Sequence, residues 1–352
     1  MSGKATLGGL DLGTNTSVLQ MNGPKDGANG PCVIHRTVVG YAKDGILPGV
    51  LPDGRATFYG EEAIANRLYL DLAWPVVDGF VKEIDATRDF LKFLRSGVPT
   101  DGEFRCVIGC PAKSSLDEQT VIRRAAAGVF DKVFVAPEPF LSALGARDEA
   151  RVGKPGYIDP VKNSLFIDIG AGTSDLCIIQ GYYPRKEDQI RLTDAGNRLD
   201  EVLIDAARRT YPDVRLSPHS VTSIKEANSF VGTPPGPVKV DVMVMGKART
   251  VDLSDAMRQA CETLINRIID AAASLIEQSN PEGVEEMLQN IIVTGGGSQI
   301  RQLGPYIAAR LGQKGFGSVK VHCVQDYKAL VAAGAVKMAP RVKEENWQIP
   351  LT

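Results

Sequence analysis

Two stretches of this chain place the same reactive residues in the same register: Leu10-Asp11-Leu12-Gly13-Thr14-Asn15-Thr16-Ser17 and Ile167-Asp168-Ile169-Gly170-Ala171-Gly172-Thr173-Ser174. Both read Asp-x-Gly-x-x-Thr-Ser. Glycine lets backbone approach a ligand and aim successive N–H groups at one point, and the neighbouring hydroxyls add donors. Such a turn can hold a phosphate. A nucleotide polyphosphate arrives with Mg²⁺, which keeps most of its waters and is held by few carboxylates, so one aspartate per turn suits that ion. Further on, Ile291-Ile292-Val293 runs into Thr294-Gly295-Gly296-Gly297-Ser298 and then a helical pattern, where adenosine or phosphate could rest on bare backbone. One Asp/Gly turn is usually structural; two in identical register, with a strand–Gly-Gly-Gly–helix at the far end, point to a repeated binding architecture.

The elements that position these residues follow from the flanking pattern. Each aspartate ends or interrupts an apolar run (Leu7–Leu12, Leu165–Ile169) and each turn is followed by another (Val18–Met21, Leu176–Ile179), which predicts two β-hairpins. A Gly/Pro/Asn-rich turn spans Asn22–Pro31 before a strand from Cys32 to Val39. Residues 40–79, broken by Gly45, Pro48, Gly49, Pro52 and Gly54, form an inserted subdomain around one helix, Glu61–Tyr69. Next come a helix from Val81, a buried strand Phe104–Cys110, a helix opened by the capping box at Ser115 and Glu118 and running to about Phe130, and a strand Val133–Val135. Glu138-Pro139 opens another helix. Turn formers at Gly153–Pro160 divide a first lobe, 1–155, from a second, 156–352. In the second lobe, helices over 197–210 and 220–230 and a hairpin turning at Gly246-Lys247 make a second insertion, 196–253. Ser254 caps a long helix with an apolar stripe at Met257, Cys261, Leu264, Ile268, Ala272 and Leu275. A strand over 319–324 and a helix over 329–337 follow.

Composition narrows the class. A chain of 352 residues fits two domains, and 43% apolar with 23% charged residues is ordinary for a soluble protein. A net charge of −2 and no basic stripe with interleaved aromatics argue against nucleic acid. The six scattered cysteines include no Cys-x-x-Cys pair, so core packing in a reducing cytosol is expected; three distant histidines do not suggest a zinc centre. Met1–Thr6 fits no signal peptide, and no apolar run reaches the ~18 residues of a membrane span. The expectation is a cytoplasmic protein without direct membrane insertion.

Taken together, the two Asp-x-Gly hairpins, the Gly-Gly-Gly turn and one insertion in each half resemble the superfamily of actin, sugar-kinase and heat-shock-chaperone ATPases. Within it, Trp74-Pro75-Val76-Val77-Asp78-Gly79, Val107-Ile108-Gly109-Cys110-Pro111-Ala112, Glu138-Pro139-Phe140, Ala195-Gly196-Asn197-Arg198-Leu199-Asp200, Ile224-Lys225-Glu226 and Ser229–Pro234 resemble the bacterial actins that build magnetosome-positioning filaments. The resemblance implies an α/β actin-like fold: two lobes, each a β-sheet flanked by helices with a smaller inserted subdomain, and a nucleotide cleft between them. It implies that Gly13, Thr14 and Asn15 hold the β-phosphate side and Gly170, Gly172 and Thr173 the γ-phosphate side, with Asp11 and Asp168 meeting Mg²⁺ through its waters. By the same resemblance Gly196 and Asp200 open a helix near the sugar, Lys225 and Glu226 flank ribose and adenine, and Gly295, Gly296 and Gly297 cradle the adenosine. Glu138 would orient the attacking water, since phosphoryl transfer needs mainly positioning and charge neutralisation. The implied activity is ATP hydrolysis to ADP coupled to turnover of a cytoskeletal homopolymer, with an adaptor protein on an organelle surface as a further partner. Other bacterial actins with different cargo share the phosphate motifs. A small-molecule kinase of the same superfamily is the alternative from another class, although the insertions carry no recognisable sugar-binding motif.

Overall fold

The apolar runs around Asp11 pair as an antiparallel hairpin of β1 (Thr6–Leu12) and β2 (Thr16–Asn22), with Asp11 opposite Val18 and Leu12 opposite Ser17. The computed structural model describes residues 5–23, 29–99 and 102–351, and the central part of the glycine-rich turn over 22–31 lies outside the described residues. The chain divides into two units, residues 1–161 with 328–352 and residues 162–327.

In the first unit the chain continues through β3 (Asn29–Arg36), β4 (Val39–Ala42), β5 (Thr57–Tyr59), α1 (Gly60–Ala65), β6 (Leu70–Ala73), β7 (Val76–Val77), β8 (Phe80–Val81), α2 (Ile84–Ser96), β9 (Phe104–Cys110), α3 (Leu116–Ala125), β10 (Lys132–Pro137) and α4 (Glu138–Ala146). The main sheet has the order β10-β9-β1-β2-β3, with β1, β9 and β10 parallel. That register brings Asp11, Cys110 and Glu138 to the carboxyl edge of three neighbouring strands, the edge where open α/β sheets bind ligands. A second sheet, β5-β4-β6, has its own small core of Val38, Leu51, Phe58, Ala63 and Leu70. Two helices are shorter than the apolar pattern suggests. α1 stops at Ala65, and α3 stops at Ala125 because the chain turns over before Gly128, whose φ of +74° is left-handed. The capping box of α3 forms as the spacing requires: the Ser115 hydroxyl accepts from the Glu118 N–H, and the Glu118 carboxylate accepts from the Ser115 N–H.

The second unit holds β11 (Ser164–Ile169), β12 (Ser174–Ile179), β13 (Gln189–Leu192), α5 (Gly196–Thr210), α6 (Pro218–Asn228), β14 (Lys239–Val244), β15 (Lys247–Asp252), α7 (Ser254–Gln278), α8 (Pro281–Leu288), β16 (Ile291–Thr294), α9 (Leu303–Gln313) and β17 (Val321–Cys323). Its sheet order, β13-β12-β11-β16-β17, repeats the topology of the first. In each, a central strand ending in the aspartate motif is antiparallel to the next strand and parallel to one that arrives later. Residues 196–253 have no core of their own: Leu199, Leu203, Val221, Val242 and Val251 belong to the large cluster around α7. Ser254 is the first residue of α7 rather than its cap. Its hydroxyl accepts from Val238 N–H and donates to Asp252, which ties the β14–β15 hairpin to the helix.

The last helix, α10 (Leu330–Met338), packs in the first unit, so that residues 328–352 part from the 156–352 lobe expected from the turn formers. Val331, Ala335 and Ala339 join an apolar cluster with Val107, Ala136 and Leu141, and small residues let the backbones approach. A β-carbon on Gly9 of β1 would meet Ala335 Cβ and Val336 N at 2.7 Å, and the α4–α10 crossing is close enough that Gly145 and Gly334 leave no room for a side chain. Beyond it, Gln348 pairs with Val133 on the edge of β10, Trp347 is buried under the Arg105 guanidinium, and Glu344 takes Arg105 and Lys132 as partners. Cys106, Cys110, Cys177 and Cys261 are core residues, whereas Cys32 is exposed. Among the described residues no helix is long and apolar enough to cross a membrane.

Candidate functional site

In the first unit the turn Gly13-Thr14-Asn15 is held from two directions. Thr37, between β3 and β4, donates its hydroxyl to Gly13 O at 2.7 Å and its N–H to Asn15 O at 3.0 Å, and shares a 2.8 Å hydrogen bond with the buried Ser17 hydroxyl. Gly79, in the left-handed Asp78-Gly79 turn between β7 and β8, donates its N–H to the Thr14 hydroxyl at 3.0 Å. Thr37, just ahead of the 40–79 insertion, and Gly79, at its end, therefore grip the loop that follows Asp11. Glu138 is the first residue of α4, immediately after β10, where the helix dipole favours a negative charge. Its side chain lies over Gly109: a β-carbon there would stand 3.0 Å from Glu138 Cγ and 2.9 Å from Val331 Cγ1.

In the second unit the loop after Asp168 closes on itself and on α5. Gly170 N–H donates to Thr173 O at 2.9 Å, Gly196 N–H to Gly170 O at 3.1 Å and Asn197 N–H to Ala171 O at 2.8 Å. The first N–H groups of α5, orphans in any helix, thus bond the phosphate-type loop. The Thr173 hydroxyl is engaged by the buried Asp175 carboxylate at 2.6 Å. Lys225 of α6 reaches across to α5. Its Nζ donates to Gly196 O at 3.0 Å and stands 3.0 Å from Asp200 Oδ1, in an ion pair of side chains each only 14% exposed, while Thr222 donates to Asp200 Oδ2 at 2.8 Å. Gly172 is buried in the bend of the loop, and Glu226 is exposed one residue beyond Lys225.

The glycine turn after β16 sits directly beside Asp168. Asp168 is in register with Thr294, Gly295 has φ +75°, and a β-carbon on Gly295 would collide with Asp168 Oδ1 and Ile169 O. Gly297 is packed against Ile169 in the same way. The segment is stitched to the end of α6 by Arg301 N–H to Ser229 O, Val231 N–H to Arg301 O and the Arg301 guanidinium to Ala227 O at 2.7 Å. Within this unit, then, the structure gathers Asp168, Gly170, Gly172, Thr173, Gly196, Asp200, Lys225 and Gly295–Gly297. Asp11, Gly13, Thr14, Asn15 and Glu138 collect at the carboxyl edge of the first unit's sheet.

Sequence reading gives no site role to Thr37, Gly79, Asp175, Arg301 or Tyr327. The Tyr327 hydroxyl would lie 3.8 Å from a β-carbon on Gly296, and burial, then the Glu226 carboxylate, raises its pKa. Only its place in a turn just after the last strand of the sheet hints at it. No group of three or more His, Cys, Asp or Glu among the described residues could cage a metal, and a hydrated Mg²⁺ needs no cage. The Asp168 carboxylate beside the bare Gly295 turn is a donor of the type that a hydrated Mg²⁺ takes.

The MreB/Mbl protein family model matches residues 8–346. The chain is 34% identical over 348 residues to the actin-like protein MamK of Paramagnetospirillum magneticum, covering 97% of this chain and 94% of that protein. Among solved structures, the MamK double helical filament superposes with a TM-score of 0.87 at 32% identity, covering 97% of this chain and all of that one. A non-polymerising MamK mutant bound to AMPPNP gives 0.69 at 33% identity, with 96% and 99% covered. The fold is actin-like.

Proposed function

This chain belongs to the MreB/Mbl family of actin-like proteins, and on that premise we propose that it is a filament-forming bacterial actin that binds Mg-ATP, polymerises head to tail and hydrolyses the nucleotide to loosen the polymer. The observation that carries this reading is the repeated sheet topology with one Asp-x-Gly hairpin at the same central strand of each unit. The first unit supplies Asp11, the Gly13–Asn15 backbone and Glu138; the second supplies Asp168, the Gly170–Thr173 loop and the Gly295–Gly297 turn.

Each group has a role in the proposed reaction. Loop N–H groups bind phosphate oxygens, Asp11 and Asp168 hold the waters of Mg²⁺, and the metal supplies charge neutralisation when bound. Glu138 accepts a hydrogen bond from water and aims its lone pair along the line of the breaking bond. Lys225, tied to Asp200 and Gly196, keeps α5 and α6 together beside ribose, and Tyr327 and Glu226 border the base. A heterologous contact that does not close on itself gives an open filament, and nucleotide state biases its stability. The proposed cargo is the magnetosome, reached through an adaptor on the organelle surface.

The test is sedimentation and negative-stain microscopy of the purified protein with Mg-ATP, Mg-ADP or no nucleotide, alongside Glu138→Ala. Filaments with ATP that outlast the wild type in the variant support both polymerisation and the role of Glu138. Absence of polymer in every state across a wide concentration range overturns the filament reading, and hydrolysis stimulated by a hydroxyl acceptor would favour a kinase.

A further inference from the structure

Helix α4 carries Glu138 at one end and ends at the other in carbonyls that no turn of its own satisfies. Lys337 of α10 meets them: its Nζ donates to Leu144 O at 2.9 Å, Gly145 O at 3.2 Å and Arg147 O at 2.5 Å. Three donors of one ammonium thus meet three carbonyls at the negative end of a nine-residue helix. The same two helices cross through Gly145 and Gly334, so neither can slide without a backbone clash. At the far end of α4, Val331 of α10 and the Glu138 side chain share the notch above Gly109.

We propose that Lys337 is a positioning residue for ATP hydrolysis, acting through α4 to hold the Glu138 carboxylate at the angle the attacking water requires. The inference rests on the catalytic reading of Glu138 and extends it to a residue far along the chain that touches no nucleotide. A short helix pinned at its carboxyl end and wedged along its flank is a rigid lever. Its first residue inherits any tilt, and an error of about 1 Å in a reacting group can cost roughly 100-fold in rate.

The experiment is a double-mutant cycle on phosphate release, with affinity for a fluorescent ATP analogue measured in parallel. Lys337→Met keeps the aliphatic stem and removes the donors. It is expected to lower the turnover rate by about tenfold or more while leaving nucleotide affinity within about twofold. In the Glu138→Ala background the same substitution is expected to cost nothing further, and Lys337→Arg to restore part of the rate. Loss of affinity equal to loss of turnover, or equal effects in both backgrounds, would overturn the inference and mark Lys337 as a general stabiliser. If Glu138→Ala itself hydrolyses ATP at the normal rate, the catalytic reading fails, and this one with it. Gly109→Ala, which presses on Glu138 from β9, provides the same cycle should Lys337→Met not fold; equal effects with and without Glu138 would overturn the proposal there too.

Discussion

Gly295 turns a bare α-carbon toward the Asp168 carboxylate, so closely that a β-carbon would collide with Oδ1. Strand β16 runs parallel to β11 at that point, and the left-handed φ of +75° at Gly295 swings the chain past the carboxylate instead of into it. Gly295→Ala therefore has two costs, a strained backbone of about 1–3 kcal/mol and a displaced Asp168. The expected result is a lower denaturation midpoint together with at least a tenfold weaker, Mg²⁺-dependent affinity for an ATP analogue; a variant that binds normally would remove Asp168 from the metal's shell.

Lys225→Met leaves the Asp200 carboxylate, largely buried, without its cation and takes from Gly196 O the donor that α6 supplies. The cost is roughly 1–3 kcal/mol of stability, measured by chemical denaturation. Nucleotide affinity should fall as well, because α5 and α6 lose their link; Asp200→Asn in the same background should recover part of the stability by removing the stranded charge.

Thr37→Val keeps the shape of the side chain and removes the hydroxyl that serves both Gly13 O and Ser17. About 1–3 kcal/mol should be lost, and the affinity for nucleotide should drop although Thr37 lies outside the phosphate motif. Thr37→Ser, which retains the hydroxyl, is expected to bind nearly as wild type. Equal binding by Val and Ser variants would show that Thr37 does not shape the loop.

Acid should release the carboxyl-terminal segment from the first unit. Hydrogen bonds from Lys132, then Arg105, hold the Glu344 carboxyl below its usual range. With the folded pKa depressed, the contribution of this contact is complete above the unfolded value and is lost as pH falls through the folded one. Trp347 fluorescence, read in a Trp74→Phe background, should therefore change as pH falls below about 4, and Glu344→Gln should already show the acid signal at neutral pH.

Local pattern and repetition made much of this legible in sequence. β9 spans the predicted Phe104–Cys110, α4 begins at Glu138, and the Ser115–Glu118 capping box starts α3, since each depends on neighbours a few residues away. The two aspartate motifs mark their own hairpins because each turn lies between two apolar runs. What escaped were relationships closed over long separations. Thr37 and Gly79 meet the Gly13–Asn15 loop from just before an insertion and from its end, Arg301 meets Ala227 across two elements, and Lys225 finds Asp200 on another helix. The Ala/Val-rich pattern of α10 predicts a helix correctly yet says nothing about which sheet it covers; the close approach at the glycines at 9, 145 and 334 and the apolar cluster with Val107, Ala136 and Leu141 appear once the neighbours are known.

The return of α10 to β1 also sets an order of assembly on the ribosome. The face of the first sheet around Gly9 is sealed by residues 332–336, and the edge of β10 by Gln348. Everything needed for the second unit emerges before them. The half of the protein that is synthesised first is thus completed last, against the usual vectorial sequence of domain folding. Until residues 332–348 have emerged, the first sheet lacks its cover over Gly9 and its closure along β10.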